Sequence, residues 1–419
     1  MFIGTVALLV LGCDGKSRNV EERWAAERNA VAEPQADSGV NIRVFLTRKT
    51  EIRLTCQKAP YGFWNDAEKK EWISLDRGQT CLLRRQNGNW QVKDKFGRDL
   101  LPVKWQQERS LVIKPKKKAI LDLVTEQKRR YRGNLRIWAE DKNSFNVVNI
   151  VDVEQYLAGV VGSEMPSYWY KTALRAQSIA SRTYALYQLH LREGSGRWDL
   201  SSDQSSQVYG GVIRESRRVA EAVSETRGVV LVGNWKGKEK IFPAYYSSTC
   251  GGHTQDAAAV FGEDLPPLKG TTCPYCAKVA KPKYFRWSGP TIAKEDVSKR
   301  LIKRFPSLAS LDSIMDIKVV ARSDYGRVEK LELRGQNGQK RNIRAEDFRL
   351  AISTKDKPLL SSWYKLIDAP KVWRFVDGRG WGHGVGLCQC GSQQMARLGK
   401  DSIAILKHYY PQALLVRAY

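Results

Sequence analysis

At Asp152 the hydrophobic period of the chain changes. Residues 134–151 alternate apolar and polar positions, the period of a half-buried strand, whereas Tyr156, Leu157, Val160 and Val161 recur at helical spacing. Asp152-Val153-Glu154-Gln155 has the Asp-x-x-Gln form of a capping box, which starts the helix there. Pro166 disfavours the α conformation at Met165, so this helix has to stop near Glu164. A second helix is predicted from about Lys171 to Glu193, closed by Gly194-Ser195-Gly196, with Ala173, Ala176, Ala180 and Thr183 on a face of small side chains that admits a close neighbour. Later, Val229–Val232, Ile317–Val320, Val328–Leu333 and Val372–Val376 read as strands, and Glu295–Phe305 and Asp401–Tyr409 as helices. The fold class is therefore mixed α+β, and no repeat at a fixed period appears.

A chain of 419 residues exceeds what one hydrophobic core organises, so two or three structural units are expected. Val40 to about residue 130 is built of short alternating runs, such as Ile42–Leu46 and Ile52–Leu54, separated by turn residues at Asn87-Gly88-Asn89 and Gly97. A small N-terminal β-rich domain over 41–130 follows, with Cys56 and Cys81 as a disulfide pair in an oxidising compartment. Residues 134–419 form the remainder, with an inserted subdomain expected at about 285–355.

The first residues bear on compartment. Phe2 to Leu11 is apolar but shorter than the ~20 residues that span a bilayer, and it ends in Val10-Leu11-Gly12-Cys13. Residues 1–13 thus resemble a lipoprotein signal with Cys13 as the lipidated residue, although no Lys or Arg precedes it, and the polar stretch 14–40 reads as a tether. The expected location is the periplasmic or extracellular face of the envelope. The formal net charge of +26 calls for a polyanionic partner, which can be nucleic acid, anionic wall polymer or lipid headgroup. No nucleic-acid-binding module accompanies the charge, so nucleic acid is not the expected partner.

Glu164 is chemically conspicuous. It sits in the last turn of a helix, where the negative end of the macrodipole and the neighbouring Met165, Tyr168 and Trp169 all disfavour an ionised carboxylate. A carboxyl group kept protonated is what cleavage of a glycosidic bond requires, although most helix-end glutamates are simply exposed.

Three motifs in register resemble the stage II sporulation protein D (SpoIID) family: Gly159-Val-Val-Gly-Ser-Glu164-Met-Pro with the helix through Gln177, Arg182 and Tyr184; Tyr246-Ser-Ser-Thr-Cys-Gly-Gly-His-Thr254; and Gly378-Arg-Gly-Trp-Gly-His-Gly-Val-Gly-Leu-Cys-Gln-Cys-Gly391. The resemblance covers about residues 134–419. It implies a lytic transglycosylase acting on peptidoglycan glycan strands already stripped of stem peptides by an amidase, with Glu164 as the catalytic acid and then base. Such an enzyme needs one carboxylate where most glycosidases need two. Gln177, Arg182, Tyr184, Ser248, Trp381, His383 and Gln389 are the substrate-binding residues to which it points. For Gln177, Arg182 and Tyr184 the competing reading is side chains satisfied inside a polar core, and for His383 a structural histidine. The family pattern has Ser and Tyr where this chain has Cys388 and Cys390, which puts any role of those hydroxyls in doubt.

Cys250-Gly-Gly-His253, nineteen intervening residues, then Cys273-Pro-Tyr-Cys276 has the spacing of a structural four-ligand zinc site. Disulfide pairing among the same cysteines is the alternative. Zinc occurs near this position in some relatives, which often carry His in place of Ser247; here the expected set is Cys250, His253, Cys273 and Cys276. No cofactor is required for the catalysis itself. Two other functions stay open at this level: a non-catalytic peptidoglycan-binding protein, and a wall amidase using Cys388 with His383 as its base.

Overall fold

The structure, a computed structural model, describes residues 37–65, 70–124, 128–193, 196–235 and 238–419. The expected signal with Cys13, and the tether as far as residue 36, lie outside the described residues. Two compact units are present: the described part of one comprises residues 37–230 with the C-terminal 416–419, and the other residues 231–415. Among the described residues, no helix is long and apolar enough to cross a membrane.

In the first unit the chain moves repeatedly between two sheets. Strands β1 (Asn41–Lys49), β3 (Tyr61–Asn65), β4 (Glu71–Leu75), β7 (Ser110–Pro115), β10 (Asn134–Ala139), β11 (Phe145–Asp152) and β12 (Leu200–Ser201) form a seven-stranded sheet in the order β12-β1-β11-β10-β7-β3-β4. Strands β2 (Glu51–Thr55), β5 (Thr80–Gln86), β6 (Asn89–Lys93), β8 (Leu121–Val124) and β9 (Lys128–Tyr131) form a second sheet in the order β6-β5-β2-β8-β9. Alternation in β1 buries Ile42, Val44 and Leu46, as its period of two requires. Trp90 of β6 meets Phe145 of β11 at 5.4 Å, and the Tyr61 hydroxyl of β3 donates to the Leu54 carbonyl of β2 at 3.1 Å, which joins the sheets through one core.

The expected β-rich stretch 41–130 does not pair with itself alone. Strand β1 pairs with β11 from Asn41↔Asp152 to Lys49↔Phe145, so the N-terminal strands share a sheet with the strand that feeds the Glu164 helix. The expected Cys56–Cys81 disulfide is also absent. Both are buried free thiols, because the β2–β5 register sets Cys81 opposite Leu54 and leaves Cys56 two residues further along. Burial pushes the Cys81 thiol up to about 12.

Helix α1 (Val153–Glu164) starts where the period changes, with Asp152 Oδ1 accepting from the Glu154 amide at 2.9 Å. The reciprocal half of the capping box is not made. Gln155 instead donates to Asp37, and Ser38 donates through its amide and hydroxyl to Asp152 Oδ2 at 2.5 and 2.7 Å. At the other end Met165 is extended, at φ −127°, as Pro166 demands. Helices α2 (Lys171–Leu191) and α3 (Arg217–Glu225) pack with α1, and Ala173, Ala176 and Ala180 are buried on the small-residue face of α2.

The second unit holds short sheets and a separate hydrophobic cluster running from Trp287 to Phe375. Helices Lys294–Arg304 and Ala345–Ile352 and the three-stranded sheet of Ile314–Arg322, Val328–Gly335 and Lys340–Arg344 supply most of it. The cluster spans the stretch 285–355 and runs beyond it, with Leu359, Tyr364, Trp373 and Phe375 among its buried members.

Candidate functional site

Glu164 is the last residue of α1, partly exposed, with Met165 and Trp169 buried after it. The amide of Val208 donates to its Oε1 at 3.0 Å, which fixes the direction of the carboxylate. The segment around Val208 is itself anchored. Tyr209 packs against Tyr131 and Tyr156, Gln207 accepts from the Tyr156 hydroxyl at 3.1 Å, and the Gly210 amide donates to Ser163 Oγ at 3.2 Å. The chain beyond it passes so close to α1 that a Cβ at Gly162 would lie 1.9 Å from the Arg214 carbonyl oxygen. Gln207-Val208-Tyr209-Gly210 was not singled out from sequence. The paired glycines at 210 and 211 were its one signal, and they do not say which helix end the segment meets.

The three binding residues expected on α2 have other surroundings. Arg182 is fully buried and forms a two-pronged ion pair with Glu154, at 2.8 Å from both Nε and Nη2, and also donates to the Val223 and Val229 carbonyls. Gln177 is fully buried with its amide on Ser181 Oγ, and Tyr184 is 7% exposed. Arg182 is thus satisfied inside the core and has no guanidinium edge left for a substrate carboxylate.

Glu154 also accepts from Gly228 N and from the hydroxyl of the C-terminal residue, Tyr419, at 2.6 Å. Burial alone would raise its carboxyl pKa, but the Arg182 bonds and charge outweigh that and hold it below the usual carboxylate range. Because the folded-state value is depressed, the pair stabilises the unit above the ordinary carboxylate pKa and loses that contribution as pH falls through the folded value. Arg182→Met, which strands a buried anion, should cost about 3–5 kcal/mol at neutral pH. Thermal melts between pH 7 and 3 should show the gap to the wild type narrowing toward acid. A constant gap would assign the loss to packing.

In the second unit, residues Tyr246–Ser247 and Leu387–Cys388 pair as parallel strands, and this pairing brings the second and third motifs together. Trp381 is held by reciprocal backbone bonds with Thr249 and packs against Tyr284 at 4.4 Å; its ring is partly exposed, as is Ser248, whose carbonyl accepts from Cys390 N. Gln389 is 5% exposed at the start of helix Gln389–Arg397. His383 packs edge-on against Phe261 and Tyr245, and its Nδ1 accepts from the Val385 amide at 3.0 Å. Desolvation of the ring lowers its pKa to about 4, so it is neutral at neutral pH.

Four sulfur atoms converge in the same unit. Sγ of Cys250, Cys273, Cys276 and Cys388 lie within 4.8 Å of one another, all four residues buried. The fourth member is Cys388, where the sequence led to His253. The His253 ring stacks on Tyr325 at 3.9 Å, with Nδ1 2.6 Å from the Thr254 carbonyl. All seven described cysteines are free thiols, so the disulfide alternative is not formed. The donor set fits a soft metal ion: a tetrahedral centre with Zn–S of about 2.3 Å has sulfur–sulfur edges of about 3.8 Å, and Cys250 and Cys276 are 3.7 Å apart.

A helix-end carboxylate oriented by a backbone amide, and in the other unit a glycine-rich loop tied to a buried four-thiol cluster, define the class: an α+β protein with a cysteine cluster that can hold a metal ion. Comparison with known proteins makes this specific. The family model described as Stage II sporulation protein (SpoIID) matches residues 141–232, and one described as a domain of unknown function matches residues 276–386. An uncharacterized protein of Brachyspira hyodysenteriae is 30% identical over 369 residues, which is 88% of this chain and 91% of that one. Stage II sporulation protein D of Bacillus subtilis is 28% identical over 277 residues, 63% of this chain and 74% of its own length. The amidase enhancer of the same organism is 26% identical over 299 residues, 62% of this chain and 40% of its own length. The chain belongs to the SpoIID family.

Proposed function

We propose that the protein is a peptidoglycan lytic transglycosylase that cleaves the bond between N-acetylmuramic acid and N-acetylglucosamine in peptide-stripped strands. The observation that carries this reading is Glu164: a partly exposed carboxyl at the end of α1, aimed by the Val208 amide, within the segment that matches the family model. Glu164 would protonate the glycosidic oxygen as the C1–O bond breaks. The resulting carboxylate would then take the proton of the C6 hydroxyl as that oxygen bonds to C1, leaving a 1,6-anhydro end and regenerating the acid. Trp381, partly exposed, would offer a stacking surface for sugar rings.

The cysteine cluster would hold one zinc ion as a structural tetrathiolate with no open position. An amidase reaction through Cys388 is disfavoured, because its thiol is fully buried among three others and burial pushes it well above the ordinary range. The similarity to an amidase enhancer supports an upstream amidase as partner, and equally a second reading in which the chain binds glycan without cleaving it. In either reading the protein would act in the envelope, lipid-anchored at Cys13. Digestion of denuded glycan strands followed by mass spectrometry separates the possibilities: anhydro-muramyl ends are expected, and recovery of intact strands would favour binding alone.

A further inference from the structure

Arg327 is fully buried in the second unit, and its guanidinium Nε and Nη1 have no hydrogen-bond partner among the described residues. Its Nη2 donates to the Cys250 carbonyl at 2.7 Å. The group lies 5.6 Å from the Trp363 ring centroid, and on Gly384 it fills the place of a side chain: a Cβ there would be 2.7 Å from Nη2. Gly384 has φ +79° and belongs to the glycine-rich loop, so the close approach this glycine permits is made by Arg327.

The buried carboxylate beside this cation, Glu346, is shared with a second guanidinium. Glu346 is engaged by Arg349 through two bonds of 2.5 and 2.8 Å. Burial pushes Tyr325 up to about 12, and His383 is neutral. Arg327, Arg349 and Glu346 together leave one uncompensated positive charge in the interior, a costly arrangement unless an anion lies close by. The sulfur cluster is the candidate, since the Arg327 guanidinium donates to the backbone carbonyl of one of its members, Cys250.

We infer that Arg327 is the buried counter-charge of the cysteine cluster in its metal-bound form. This rests on the metal reading above. When Zn²⁺ binds four thiols, four protons leave and the centre carries two negative charges, which burial would penalise severely without a cation alongside. The unpaired guanidinium and the dianionic centre are each unfavourable alone and compensate one another across the Cys250 peptide. Arg327 is thus a positioning and charge-balancing residue, outside the ligand set.

The inference makes two opposite demands on Arg327→Met. Zinc affinity, measured on the full chain by competition with a chromophoric chelator, should fall about 10- to 100-fold, as loss of an outer partner typically does. The zinc-free variant should melt at or above the zinc-free wild type, because an uncompensated charge has been removed. Arg327→Lys, which keeps the charge, should lie between wild type and Met in affinity. Equal zinc affinity in Met and wild type would overturn the inference and leave the metal reading standing. A zinc-free Met variant that is unfolded or melts well below the zinc-free wild type would overturn it too. Wild-type protein that takes up no zinc would remove the metal reading itself, and this inference with it.

Discussion

Glu164→Gln should reduce release of anhydro-muramyl products from denuded strands by about 10²- to 10⁴-fold, the range of a positioned acid–base group and equivalent to about 3–5 kcal/mol of barrier. The amide retains the carbonyl oxygen that can accept from Val208 N, so the end of α1 should keep its geometry. Glutamine cannot deliver a proton to the leaving oxygen or remove one from the C6 hydroxyl. Cleavage rates and a thermal melt on the same preparation check both statements. Wild-type turnover in a folded variant would transfer the chemistry away from Glu164. Normal binding with no turnover even in the wild type would favour the non-catalytic reading.

The second large effect concerns the cysteine cluster. Purified protein should contain about one zinc per chain, and chelation should lower the melting temperature of the second unit by on the order of 10 °C. Loss of a structural zinc withdraws several kcal/mol, and each kcal/mol shifts a domain of this size by about 2–4 °C. Cys388→Ser should lose the metal, since its sulfur is one of the four that converge. His253→Ala should retain it, because that ring is engaged by Tyr325 and Thr254 outside the cluster. Metal analysis and melts of the two variants side by side discriminate between the ligand sets. Zinc lost from His253→Ala and kept by Cys388→Ser would restore the set suggested by spacing.

Spacing pointed to His253 because metal sites are commonly built from short-range pairs, and Cys250-Gly-Gly-His253 looks like one. The sulfur that converges with the other three is that of Cys388, 138 residues from Cys250, brought in by the two-residue parallel pairing of Tyr246–Ser247 with Leu387–Cys388. A similar distance hides the role of Arg182. Its charge on a helix invited a substrate, while its counter-ion Glu154 lies on the preceding helix and is completed by Tyr419, 265 residues further along.

The sequence by itself determined the run from β11 through α1 to α2, and with it the position of Glu164 at a helix end. Those outcomes depend on Asp152 as cap, on Pro166 as stop and on the hydrophobic period, all of which act within one or two turns. Only the tertiary structure decided that β1 would join β11 in one sheet, that Val208 would orient Glu164, that Cys388 would be the fourth sulfur and that Arg327 would be buried beside Cys250. Each of these pairs residues far apart in the chain, where neither period nor local propensity carries information. What fixes them is the requirement that strands find partners and that buried charges and thiols find company.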